Sequence, residues 1–182
     1  MKQETDYRKF KEKLANNAAK YTEQTLTKID NITREAVESA LISSGYKVDE
    51  HGYYYKYAFS LLNDAIRYAV RIVEEDSVSK AYIAERERAE QMLYGMNNDC
   101  FILMIFSNQV SESEKKELLD VAQTDIAILS VIKDHKYSNT LLPVLIDRNS
   151  GTGFFLEMKK KHSQLVYSCG CKKLKKLLSN LQ

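Results

Sequence analysis

Asp147, Glu157 and Lys159 stand out because two acids and a lysine close behind the second can do chemistry together. Asp147 ends the apolar run 141–146, and a glycine-bearing turn, 148–153, leads to a second apolar run that finishes Glu157-Met158-Lys159. Residues two apart in a strand share a face, so Glu157 and Lys159 project together, with Phe155 beside them. Asp147 joins them only if the hairpin pairs it with an odd-numbered residue such as Phe155 or Glu157. That requires an odd-length loop, for example 150–152 or 151–153, with Gly151 or Gly153 taking the positive-φ position. A two-residue loop sends Asp147 to the other face. Two carboxylates that do meet repel each other unless a cation sits between them. Oxygen ligands that leave room for water and phosphate suit Mg²⁺. Such an ion acidifies a water and stabilises a phosphate under in-line attack, and Lys159 would orient that water or offset developing charge. The chemistry is then phosphodiester hydrolysis, with Lys160, Lys161, Lys172, Lys173, Lys175 and Lys176 holding the polyanion. The plainer reading has Asp147 closing a strand at a turn, with Glu157 and Lys159 on the solvated face of an edge strand.

Asp147, nine intervening residues and then Glu157-Met158-Lys159 resembles the motif of the PD-(D/E)XK nuclease superfamily. The family's order of helix, three-strand meander, helix and strand also looks similar over 112–181. The resemblance implies that Asp147 and Glu157 bind a divalent metal, that Lys159 assists the nucleophilic water, and that Glu114 or Glu117 supplies the first-helix acid.

The elements that must position these groups are read from apolar spacing. Residues 5–43 carry Tyr7, Phe10, Leu14, Ala18, Tyr21, Leu26, Ile29, Ile32, Ala36 and Ala40 at steps of mostly three and four. That spacing predicts helix, either continuous or broken near Asn16-Asn17 or Asp30-Asn31, with Gly45 as its stop. So narrow a stripe suits a contact between two copies of the chain. Tyr53, Tyr54, Tyr55 and Tyr57 surround Lys56, and either stack bases or bury their rings in a helix–helix contact. Residues 57–73 also read as helix, and a further helix is expected from Ser77 or Ser79 to about Tyr94.

The pattern then changes. "CFILMIFS", 100–107, is continuously apolar and predicts a strand covered on both faces. "SESEKKELLDVAQ" opens with a capping box, Ser111 and Glu114, and carries an i,i+4 pair, Glu112 and Lys116. Strands are predicted over 124–133, 141–147 and 153–159, and a lysine-bearing helix closes the chain. The expected class is therefore α+β and helix-rich: a helical region, 1–96, then a small α/β domain, 97–182, with a three- to four-stranded mixed sheet.

Charge is unevenly placed. Residues 156–182 hold seven lysines and one acid, a net +6 within a chain whose total is +2, so the remainder is acidic. A basic end on an acidic body is the footprint of contact with phosphates or an acidic partner. That supports a second reading, a non-enzymatic helical interaction module that binds nucleic acid or an acidic protein through its C-terminal helix. Six glycines and one proline disfavour a turn-rich all-β fold. No apolar run reaches membrane-spanning length and no secretory h-region opens the chain, so a cytoplasmic protein is expected. Cys100, Cys169 and Cys171 do not form a disulfide framework. With His162 they offer four metal ligands in principle, but a single C-x-C is far from usual zinc spacing, and reduced cysteines in or near a core are the expectation.

Overall fold

A computed structural model of the protein describes residues 24–59, 65–91, 98–131, 139–158, 165–179 and 181. Along them run β1 (Gln24–Ile29), α1 (Arg34–Ser43), β2 (Lys47–Val48), β3 (Tyr54–Phe59), β4 (Ala65–Glu74) and α2 (Val78–Gln91). Then come β5 (Asn98–Ser107), α3 (Glu112–Val131), β6 (Asn139–Asp147), β7 (Thr152–Met158) and α4 (Leu165–Ser179). The seven strands form one mixed sheet in the order β1-β7-β6-β5-β4-β3-β2. β4, β5 and β6 are parallel, and antiparallel strands extend the sheet on both sides.

This architecture corrects the expected helix-rich fold with its three- to four-stranded sheet. β1 to β4 all come from the region read as helical, and β4 pairs with β5 across the expected division between 96 and 97. A single sheet draws strands from both 1–96 and 97–182.

β5 explains the layering. Its even residues Ile102, Met104 and Phe106 pack on one face beneath α1 and α4, while Phe101, Leu103 and Ile105 pack on the other with α2 and α3. A strand buried on both faces has no polar positions to alternate, hence the unbroken apolar run. The crossovers β4-α2-β5 and β5-α3-β6 advance in one direction along the sheet. Right-handed crossovers then put both helices on the same face.

The misread elements have identifiable causes. In β4 the residues Ile66, Tyr68 and Val70 are buried on one face and Ala69 on the other, so apolar residues fall at helical spacings as well as at alternate positions. Its β-branched content favours the strand. The stripe Leu26, Ile29, Ile32 is split by Asn31, which takes a left-handed φ of 64°. Helix begins only at Arg34, where the Thr33 hydroxyl accepts from the Ala36 amide at 3.2 Å. Of the expected 5–43 helix, residues 1–23 lie outside the described residues, and 24–29 are strand. The proposed seam for a second copy therefore has no continuous helix to run along. Gly45, at φ +79°, does end α1.

The expected strand at 124–133 is corrected as well: α3 continues to Val131. Its start is firm, since the Ser111 amide donates to Glu114 at 2.6 Å and the Glu114 amide returns to the Ser111 hydroxyl at 3.4 Å. Extending a nucleated helix costs less than starting a new element. The ion pair at its first turn is Glu112 with Lys115, not Lys116.

Candidate functional site

Hairpin parity decides the carboxylate cluster. Asp147 pairs with Thr152 across a four-residue loop, and Val144 pairs with Phe155. An even-length loop puts Asp147 on the face of Thr152 and Phe154, while Glu157 shares the opposite face with Phe155. Continuing the register sets Glu157 across from Leu142, five residues from Asp147, or about 17 Å along the strand. One cation cannot span that separation. The expected metal pair, Asp147 and Glu157, is therefore not brought together, and Lys159 lies outside the described residues, as do Lys160 and Lys161. Among the described residues, no group of three or more His, Cys, Asp or Glu side chains is placed to hold a metal ion.

Each acid has local work instead. Asp147 accepts from the amides of Asn149 at 2.9 Å and Ser150 at 3.4 Å. The Asn149 amide in particular holds its carboxyl below the usual aspartate range. Gly151 completes the turn at φ +66°. Glu157 accepts from the Thr27 hydroxyl of β1 at 2.9 Å and pairs with Lys175 of α4 at 2.9 Å. It is a three-way clasp between an edge strand, its neighbour and a helix.

The carboxyl ends of parallel strands, where open α/β sheets usually bind ligands, are occupied by a similar network. Asp76 accepts from the Asn108 amide at 3.0 Å, and Glu74 pairs with Arg34 at 2.9 Å and Arg148 at 3.1 Å. Asn149 Nδ2 reaches the Asn108 carbonyl at 2.5 Å. These contacts tie the ends of β4, β5 and β6 to one another.

The lysines of α4 divide by flank. The apolar stripe Tyr167, Cys171, Leu174, Leu177 and Leu178 is buried against the sheet. Lys175 leans to the β7 side and meets Glu157, whereas Lys172 and Lys176 are exposed. Lys173 leans the other way and lies over the Tyr68 ring of β4, its ammonium 5.4 Å from the ring centroid. Tyr68 is paired with Lys56 of β3, so Lys56 rises from the same face. Lys56 Nζ donates to the Ser44 carbonyl at the end of α1, at 2.5 Å.

The result is a cleft of about 210 Å³ lined by Ser44, Tyr46, Lys56, Lys173, Lys176 and Leu177. None of these lining residues is acidic. Lys173 has its pKa lowered, first by burial and then by the charges of Lys56 and Lys176. The fold thus holds three ammonium groups around one hollow against their mutual repulsion, and an anion entering it would relieve that repulsion. A volume below the roughly 300–1,000 Å³ of small-molecule pockets suits a single phosphate-sized group.

Sequence reasoning reached Lys172, Lys173, Lys175 and Lys176, and Lys56 only as part of the tyrosine cluster, but missed Ser44 and Tyr46 and the meeting of Lys56 with α4. No local signal joins a lysine in a tyrosine cluster to a helix more than a hundred residues later. Only the β3–β4 pairing and the seat of α4 do. The chain matches no known protein-family profile, no curated protein and no solved structure. Among the described residues no helix is long and apolar enough to cross a membrane.

Proposed function

We propose that this protein is a binding module that holds the phosphate backbone of a nucleic acid against the lysine face of α4. The observation that carries the reading is the convergence of Lys56, Lys173 and Lys176 on one cleft whose described lining contains no acid. Exposed Lys172 extends the positive surface along the helix. Binding of this kind is dominated by release of counterions and does not require a metal. The hydrolytic reading of the sequence used the Asp147–Glu157 pair, and these two groups serve a turn and an ion pair on opposite sheet faces.

The test is a salt titration of affinity for fluorescein-labelled DNA or RNA, read by anisotropy. Affinity falls with salt, and Lys172→Gln with Lys176→Gln, both at exposed positions, lowers the slope of log K against log salt by about 1 per lysine. Glu157→Gln leaves binding intact. A slope insensitive to these lysines would refute the reading, as would metal-dependent cleavage that Glu157→Gln abolishes.

A further inference from the structure

β3 presents different chemistry on its two faces. Lys56 points to the α1 and α4 side, while Tyr55 and Tyr57 point to the side of α2 and α3. On that second side α2 packs chiefly over β5 and β6, and α3 over β6 and β7. The tyrosines lie beyond them in a graded series. Tyr53 is 2% exposed and donates its hydroxyl to buried Glu85, Tyr55 is half-buried, and Tyr57 is 49% exposed.

Ala69 lies across from Tyr55, and Arg67 across from Tyr57. The small alanine leaves a hollow of about 200 Å³ lined by Asp49, Tyr53, Tyr55, Tyr57, Arg67 and Ala69. Tyr55 and Tyr57 meet edge to face, with centroids 6.2 Å apart and an interplanar angle of 81°. In that geometry the pair covers at most one face of one ring, and the exposed Tyr57 is the more accessible of the two to a planar ligand. The Arg67 guanidinium lies over the Phe101 ring at 5.8 Å. Asp49, whose carboxylate accepts from the amides of His51 at 3.0 Å and Tyr53 at 2.8 Å, opposes a phosphate here. It leaves an acceptor for an amine or imine N–H. Aromatic walls, with one carboxylate and one guanidinium at the rim and no cluster of ammonium groups, describe a site for a planar, hydrogen-bonding ring.

We propose that this hollow stacks an unpaired nucleobase, which makes single-stranded nucleic acid the ligand of the module. This rests on the phosphate-binding reading of α4 and adds to it the conformation of the ligand. A duplex keeps its base faces stacked inside, so only an unpaired base can lie on Tyr57 or Tyr55. The route between the sites is open among the described residues. β2 pairs only with Tyr54 and Tyr55, and no described strand lies outside Lys56–Phe59. A single strand crossing that margin could set phosphates toward Lys56 on one face and a base on Tyr57 on the other.

The experiment compares a twelve-residue oligothymidylate, an abasic oligomer with the same number of phosphates, and a duplex, by anisotropy at one salt concentration. The oligothymidylate binds about tenfold tighter than the abasic oligomer, the fold-change expected for one stacked base. Tyr57→Ala, or Tyr55→Ala as a second variant, removes that advantage while leaving abasic binding and the salt slope unchanged, and Tyr57→Phe retains it. Equal affinity for the two single strands overturns the stacking site alone. So does a Tyr57→Ala loss that falls equally on both. Absence of binding to all three oligomers overturns the phosphate-binding reading and this proposal with it.

Discussion

Replacing Gly170 with alanine probes the contact on which the lysine cleft depends, the seat of α4 on the sheet. Gly170 is buried in the middle of α4, and a Cβ built on it falls less than 3.0 Å from the sulfur of Cys100 and 3.6 Å from Leu142 Cδ2. Cys100 is itself fully buried on β5, so the sulfur has little room to move. Two opposed effects set the outcome. Alanine in a helix interior is favoured over glycine by about 1 kcal/mol, whereas an extra methyl in a packed core costs about 1–3 kcal/mol. With the clash on a short side chain, the upper part of that range applies, and the net expectation is a loss of about 1–2 kcal/mol. For a chain of this size that lowers Tm by roughly 3–6 °C.

Cys100→Ala makes the argument specific. Alone it costs about 1 kcal/mol for the lost buried atom. In its presence the methyl introduced at position 170 occupies the vacated space, and Gly170→Ala becomes neutral or stabilising by up to about 1 kcal/mol. The double-mutant cycle then yields a coupling of about 2 kcal/mol, within the range for residues in direct contact. Urea unfolding observed by circular dichroism at equal protein concentration gives all four stabilities. A Gly170→Ala variant that is stabilised in both backgrounds, with coupling near zero, would mean that α4 does not rest on β5 at this register. Lys173 would then have no reason to lie over Tyr68, and the cleft would be lost with it.

Two further outcomes concern buried and capping acids. Glu85 is 2% exposed, and burial raises its pKa above the ordinary 4.5 despite the Tyr53 hydroxyl and the nearby Arg71 and Arg88. A raised carboxyl contributes its stability below the unfolded value and loses it as pH climbs through the folded value. Glu85→Gln keeps an acceptor for Tyr53 without a charge, so its advantage over the native chain is smallest near the acid end and grows toward neutral pH in thermal melts. A pH-independent difference would contradict this. Asp147→Ala removes the two amide contacts of the β6–β7 turn and costs about 0.5–1.5 kcal/mol. The native chain loses this contribution as pH falls below the ordinary aspartate value of 3.8, because the Asn149 amide holds the folded pKa lower. Nucleic-acid affinity of Asp147→Ala stays native, and a loss of binding would restore Asp147 to the site.

Much of the second half of the chain is readable locally. β5 shows as an unbroken apolar run, α3 starts at the capping box of Ser111 and Glu114, and the β6–β7 hairpin brackets a turn with Gly151 in the left-handed region. Each signal is complete within a short stretch of chain. The N-terminal half defeated the same reasoning because β4 has apolar residues on both faces and the apolar residues of β1 happen to fall in helical step with those of α1. Periodicity distinguishes helix from strand only when one face meets water. Cys100 and Cys171 are buried apolar-like residues, and Cys100 sets how closely α4 approaches the sheet.

Sequence alone determined that a lysine-rich amphipathic helix closes this chain and that acids flank a glycine turn, since residue order and composition specify both. Tertiary structure alone decided what those groups meet. The loop before β7 is four residues long, closed by the Gly151 amide donating to the Asp147 carbonyl at 2.8 Å and seated on the 31–32 segment by the Gly151 carbonyl accepting from the Ile32 amide at 2.8 Å. A Cβ at Gly151 would crowd that backbone at 3.2 Å. The even count of residues in that loop sets the parity that parts Asp147 from Glu157, and the contact with 31–32 holds the loop in place. The same kind of long-range pairing lifts Lys56 beside Lys173. Side-chain period along a strand is local, but which strand lies next to it is not.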